Sequence, residues 1–127
     1  MTTGNKKRIL HVDDDEDTLT VVKTILEKEG YDVVSVNRGH NALKEAKMNG
    51  FDLLIFDIMM PDMSGWELFS LVGKIKPNYK IIFLSILSIN EDKLKQLKEA
   101  GIKDFIQKPF DRDDLVKRIK KVLDTKY

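Results

Sequence analysis

The sequence predicts an α/β fold, a single doubly wound (βα)5 parallel sheet with helices on both faces. Two observations carry this reading. Short apolar runs alternate with amphipathic stretches along the chain, and several of the runs are nearly continuous in apolar residues. Continuous runs mark strands covered on both faces, as in parallel sheets. Strand, helix, strand in succession implies right-handed crossovers and parallel pairing. At 127 residues the chain suits one domain, residues 1–127. A chain of this size buries roughly two-thirds of its unfolded surface, so it needs no disulfide or structural metal to fold. Doubly wound sheets of this size commonly take the strand order 2-1-3-4-5, with ligands at the carboxyl ends of the strands.

The first strand is expected at Arg8–Val12 (RILHV), short and partly β-branched, which favours strand over helix. Leu19, Val22, Ile25 and Leu26 then make one helical apolar face, ended by Gly30. The second strand is Asp32–Val36, followed by a weaker helical pattern over Asn41–Met48 that rests on Ala42, Leu43 and Ala46 and stops at Gly50. The third strand is Asp52–Phe56. Ser64 with Glu67 has capping-box spacing and opens a helix whose face is Leu68, Leu71, Val72 and Ile75, with Pro77 after it. The fourth strand is Lys80–Leu84. Ser88 with Glu91 has the same spacing before Leu94, Leu97 and Ala100, and Gly101 ends that helix. The fifth strand is Asp104–Gln107. Asp111 caps a last helix with Leu115, Ile119, Val122 and Leu123 on one face, leaving a short tail, DTKY.

Composition narrows the function. The net charge of +1 argues against direct nucleic-acid binding. The absence of Cys fits a reducing compartment, hence a cytoplasmic expectation. The N-terminal MTTGNKK is too polar for a signal peptide, and no apolar run approaches the ~20 residues of a membrane span.

The chemistry gathers at the strand ends. Asp13 and Asp14 end the first strand, Asp57 the third, Ser85 the fourth and Lys108 the fifth. In one parallel sheet these groups converge on one edge. Three close carboxylates repel unless a cation or protons neutralise them. All-oxygen ligation selects Mg²⁺, or Mn²⁺, over softer metals. Asp57 is the candidate nucleophile, since a carboxylate can form an acyl phosphate. Phosphoryl transfer needs positive charge and hydrogen-bond donors around the moving group. The Lys108 ammonium and the Ser85 hydroxyl are suited to supply them.

The motifs ILHVDDDED, LLIFDIMMPDMSG, IIFLS and DFIQKPF, in this order, resemble those of response-regulator receiver domains, the CheY-like, flavodoxin-like family. That family is itself an example of the 2-1-3-4-5 order, so the expected order is not independent of the resemblance. The resemblance implies Asp57 as phosphoacceptor. It implies Asp14 and Asp57 as direct Mg²⁺ ligands, Asp13 acting through water, and the backbone carbonyl of Met59 as the remaining ligand. Ser85 matches the switch hydroxyl, Phe105 the aromatic switch residue and Lys108 the phosphate-contacting lysine. Lys108-Pro109 matches a cis peptide. The implied donor is the phosphohistidine of a sensor histidine kinase or phosphotransfer protein. The implied output is a downstream protein or fused effector, met by the face of the fourth helix, fifth strand and fifth helix.

Other positions carry narrower expectations. Ile86 stands where the family usually has Ala or Gly, so it is expected to narrow the site. Met59 and Leu87 are apolar and cannot orient an attacking water, which predicts a long-lived phosphorylated state. Asp15 is expected to cap the first helix, His11 to pack in the core, Trp66 to play a structural role, and Lys93, Lys95, Lys98, Lys117, Lys120 and Lys121 to be solvated. The Asp13, Asp15, Asp17 spacing of a calcium loop fails, because Thr18 replaces the turn Gly and Thr24 the bidentate Glu.

The favoured function is a two-component signalling module that catalyses only its own phosphorylation and dephosphorylation. One alternative is a phosphorylation-impaired receiver-like scaffold, made credible by Ile86. The other is a small Mg²⁺-dependent aspartyl-phosphate phosphatase of the haloacid-dehalogenase kind. Asp13 and Asp15 have the spacing of that class, but Asp17 stands where it expects Thr or Val.

Overall fold

The structure, a computed structural model, describes residues 6–126. The polar MTTGN start and Tyr127 of the tail lie outside the described residues. The elements are β1 (Arg8–Val12), α1 (Glu16–Lys28), β2 (Asp32–Val36), α2 (Gly39–Met48), β3 (Leu53–Phe56), α3 (Gly65–Ile75), β4 (Ile81–Ser85), α4 (Glu91–Glu99), β5 (Asp104–Gln107) and α5 (Arg112–Asp124). The strands form one parallel sheet in the order β2-β1-β3-β4-β5.

Strand side chains alternate between faces, and this alternation builds two cores. Leu10, Val12, Leu54, Phe56, Ile81, Phe83 and Phe105 meet α2, α3 and α4 through Ala42, Ala46, Leu68, Val72 and Leu97. Ile9, Val33, Leu53, Ile55, Ile82, Leu84 and Ile106 face α1 and α5 through Val22, Ile25, Leu26, Leu115, Ile119, Val122 and Leu123. Each fully buried aliphatic side chain contributes about 1.5–3 kcal/mol relative to exposure. Truncating one, such as Leu26→Ala, is expected to cost about 2–5 kcal/mol. No helix among the described residues is long and apolar enough to cross a membrane.

Local signals hold at most helix ends and fail at a few. Asp15, Ser64 and Asp111 cap α1, α3 and α5 by accepting the N–H of Asp17, Glu67 and Asp114. Gly30 and Gly101 take positive φ, +94° and +110°. The cap of α4 is Asn90 rather than Ser88, because Ser88 Oγ instead accepts from Gln107 Nε2 at 2.8 Å. Gly50 does not enter the left-handed region, since α2 ends through extended Asn49. Ile75 and Ala100, assigned to buried faces, are exposed at the last turns of their helices, beyond the sheet they pack on. β3 begins one residue late, because the Asp52 carboxylate accepts the N–H of Arg8. β4 is shifted to Ile81–Ser85, and the Lys80 ammonium turns to the last carbonyls of α5, those of Val122, Leu123 and Thr125.

Candidate functional site

The sheet register builds the site. Val12 pairs with Phe56, so the next residues, Asp13 and Asp57, leave the sheet side by side. Backbone bonds fix both: Asp57 N–H donates to Val12 O at 3.0 Å and Asp13 N–H to Val36 O at 3.2 Å. One carboxylate oxygen from each of Asp13, Asp14 and Asp57 lies within 4.8 Å of the others. Asp13 is 0% and Asp57 4% exposed, while Asp14 opens to solvent.

Lys108 arrives from the end of β5 and donates to Asp13 Oδ2 at 2.7 Å. Its backbone N–H donates to Ser85 O at 2.8 Å, which ties the fourth and fifth strand ends together. The Lys108-Pro109 peptide is cis. Asp15 N–H donates to Asp13 Oδ1 at 3.0 Å, so both Asp13 oxygens are engaged. Asp57 is less well compensated. Burial, and then the adjacent Asp13, push its carboxyl up to about 7, against the pull of the Lys108 ammonium and the Met59 N–H. Three carboxylates against one ammonium leave excess negative charge on an all-oxygen donor set. That set fits a hard divalent cation of the Mg²⁺ type.

Ser85 is fully buried, and among the described residues its Oγ accepts only a long 3.4 Å bond from Leu87 N–H. Phe105 lies in the core, edge-on to Phe83 with ring centroids 6.3 Å apart. Phe83 also meets Trp66 edge-on at 4.8 Å, which gives Trp66 its structural role. Lys93 Nζ lies over the Trp66 ring, 5.3 Å from its centroid, so it is not purely solvated. Lys95, Lys98, Lys117, Lys120 and Lys121 are exposed. The Met59 side chain, Met60, Trp66 and Leu87 line an open cavity of about 590 Å³ beside Asp14. Ile86 is 64% exposed and lines a second cavity of about 390 Å³ with Val21, Lys108, Pro109 and Phe110. It therefore lies exposed on the rim of a cavity that Lys108 also lines.

Two features escaped the sequence reading. His11 is in the core as expected, but neither ring nitrogen has a hydrogen-bond partner among the described residues, and Nε2 is 3.9 Å from Asp13 Oδ2. Burial, with the Lys108 charge added, pushes the ring down to about 3, so it is neutral. Asp62, in the loop after β3, bonds the start of α2. Its signal was faint: α2 begins after Arg38, a residue that offers no capping oxygen.

Comparison with known proteins agrees with this geometry. A family model described as the response regulator receiver domain matches residues 9–120. The chain is 35% identical over 117 residues to the alkaline phosphatase synthesis transcriptional regulatory protein PhoP of Bacillus subtilis, covering 92% of this chain and 48% of that protein. It thus spans about half the length of that relative. Among solved structures, a CheY-like receiver domain protein from Methanospirillum hungatei superposes with a TM-score of 0.86 at 38% identity, covering 94% of this chain and 95% of that one. The response regulator TrrA of Thermotoga maritima, solved in complex with Mg(2+)-BeF, gives a TM-score of 0.79 at 34% identity, covering 91% and 98%. With its 2-1-3-4-5 sheet and its acidic strand-end cluster, the chain belongs to the response regulator receiver domain family of two-component systems.

Proposed function

We propose that the chain accepts a phosphoryl group on Asp57 from the phosphohistidine of a histidine kinase or phosphotransfer protein and thereby changes its affinity for a partner. The observation that carries this reading is the buried Asp13–Asp57 pair with Lys108 at 2.7 Å and Asp14 at the open side. Asp13, Asp14, Asp57 and the Met59 carbonyl would hold Mg²⁺. When bound, the ion supplies charge neutralisation for the carboxylates and the phosphoryl oxygens.

The remaining chemistry belongs to the chain. An ionised Asp57 oxygen attacks phosphorus; the P–N bond to the donor imidazole breaks as the P–O bond forms, and the imidazole leaves with the electron pair. The Lys108 ammonium, bonded to Asp13 at 2.7 Å, would pair with the transferred oxygens. Ser85 spends no hydrogen on its contact with Leu87 N–H, so its hydroxyl is available to donate to the phosphoryl group. The product adds charge and acceptor oxygens that favour one position of Ser85 and its loop. Phe105 then redistributes between its place against Phe83 and one outside. A phosphoryl group shifts that balance only by its differential affinity for the two states. The readout face is α4, β5 and α5, and the module turns over no separate substrate.

Incubation with Mg²⁺ and a small acyl-phosphate donor, read by intact mass, tests the reading. One phosphoryl group is expected on the wild type and none on Asp57→Asn. An unmodified wild type would favour the scaffold alternative, and sustained turnover of phosphate esters would favour the phosphatase.

A further inference from the structure

We propose that Asp62 is a positioning residue for the cation site: by bonding the first turn of α2 it fixes the β3–α3 loop that carries Met59, and so sets the affinity for Mg²⁺. The proposal rests on the reading of the carboxylate cluster given above.

Helix α2 starts without a side-chain cap of its own, since Arg38 makes no capping bond. Its first N–H groups are served from another segment. Asp62 Oδ1 accepts from Gly39 N–H at 3.0 Å, and Oδ2 accepts from His40 N–H at 2.9 Å and lies 2.7 Å from His40 Nδ1. An anion is favoured there by the positive end of the helix. Burial opposes the charge, but the His40 and Gly39 N–H groups and the His40 ring outweigh it and hold the carboxyl down at about 2.

The neighbouring residue reinforces the same contact. Met63 is buried against Gly39, where an added Cβ would lie 2.4 Å from Met63 Cγ and 2.8 Å from its Sδ. The root of the loop is closed as well, by Gly65 N–H to Ile58 O at 2.8 Å. A Cβ at Gly65 would sit 2.4 Å from the Asp57 carbonyl oxygen, so only glycine lets the root lie this close to the phosphoacceptor's own backbone. Met59 lies between these two anchors. Releasing Asp62 frees the far anchor and lets the Met59 backbone wander relative to Asp57.

A simple helix cap would explain the bonds but would act on stability alone. Positioning predicts a change in the Mg²⁺ affinity of protein that remains folded. Groups behind metal ligands typically change affinity 10- to 100-fold when removed. The experiment is calorimetric Mg²⁺ titration of the wild type, Asp62→Ala, Asp62→Asn and Gly39→Ala, with circular dichroism confirming the fold. Asp62→Ala is expected to bind about tenfold more weakly. Asp62→Asn keeps one carbonyl acceptor and should fall between. Gly39→Ala leaves Asp62 in place but displaces Met63 and the loop, and should also weaken binding. Wild-type affinity in folded Asp62→Ala overturns the proposal. Should that variant not fold, wild-type affinity in both other variants overturns it. A wild type that takes up no Mg²⁺ sinks the cation site itself, and Asp62's role with it; a wild type that binds beside unaltered variants sinks Asp62's role alone.

Discussion

Replacing Asp57 by Asn should make the metal-free protein more stable, although it removes the group most important for the proposed activity. The side chain is 4% exposed, and burial, with the adjacent Asp13 second, holds its carboxyl up at about 7. In the unfolded chain the same carboxyl has its ordinary value of 3.8. A carboxyl raised on folding destabilises the fold above its unfolded value, because the unfolded state ionises first. The penalty is absent below about pH 4, grows between about pH 4 and 7, and is constant above. The gap corresponds to about 4 kcal/mol at 1.36 kcal/mol per pH unit. Asn also weakens the bond from Met59 N–H, so the expected gain is about 2–4 kcal/mol at pH 8 and near zero at about pH 4. Urea unfolding of both proteins at those pH values, with chelator present, measures it. Saturating Mg²⁺ should narrow the difference, because a ligand bound only to the folded wild type stabilises by about 2.7 kcal/mol at a hundred times its Kd. Equal stability at pH 8, or a wild type more stable than Asp57→Asn without metal, would refute the reasoning.

Other expectations follow from the same contacts. Lys108→Met leaves the fully buried Asp13 without its ion-pair partner, the Asp15 N–H alone remaining, and should destabilise by about 3 kcal/mol, with part recovered by Mg²⁺; thermal melts with and without the ion test this. His11→Leu removes two unpaired buried nitrogens and should stabilise by about 1–2 kcal/mol near neutral pH. Because the ring is depressed to about 3 in the fold while the unfolded chain protonates near 6.5, the wild type loses stability as pH falls below 6.5, so the advantage of His11→Leu should widen by up to about 3 kcal/mol at pH 4; an unchanged gap there is the contrary result. The apolar Met59 and Leu87 beside the site offer an attacking water no hydrogen bond, so the phosphorylated protein should persist well beyond seconds at neutral pH. Decay of the phosphorylated mass within seconds would refute that.

The strand ends were legible because their chemistry is local. An apolar run followed by Asp-Asp, Asp, Ser or Lys-Pro marks where each strand leaves the core, and parallel topology does the rest. Thus Asp13, Asp14, Asp57 and Lys108 were expected together and are found together. The misses share a different character. Ser88 and Asn90 are both competent caps two residues apart, and only the Gln107 side chain across the loop decides between them. Gly50 offers freedom the chain does not use. Asp62 caps a helix that starts 23 residues earlier, a pairing that no spacing rule reaches. The sequence puts His11 in the core, yet its lack of partners among the described residues depends on the neighbours that β2 and β3 bring beside it, Ser35 and Ile55. Ile86 shows the same limit: its size is visible in the sequence, but its outward direction is set by the loop after β4.

The central claim is that acidic side chains distant in sequence share one divalent cation. Isothermal calorimetry of the chelator-treated protein with Mg²⁺ tests it most directly. The account predicts saturable uptake at one site, abolished or strongly weakened in Asp14→Ala and in Asp57→Ala. The absence of any uptake by the folded wild type, or uptake indifferent to both substitutions, would contradict it.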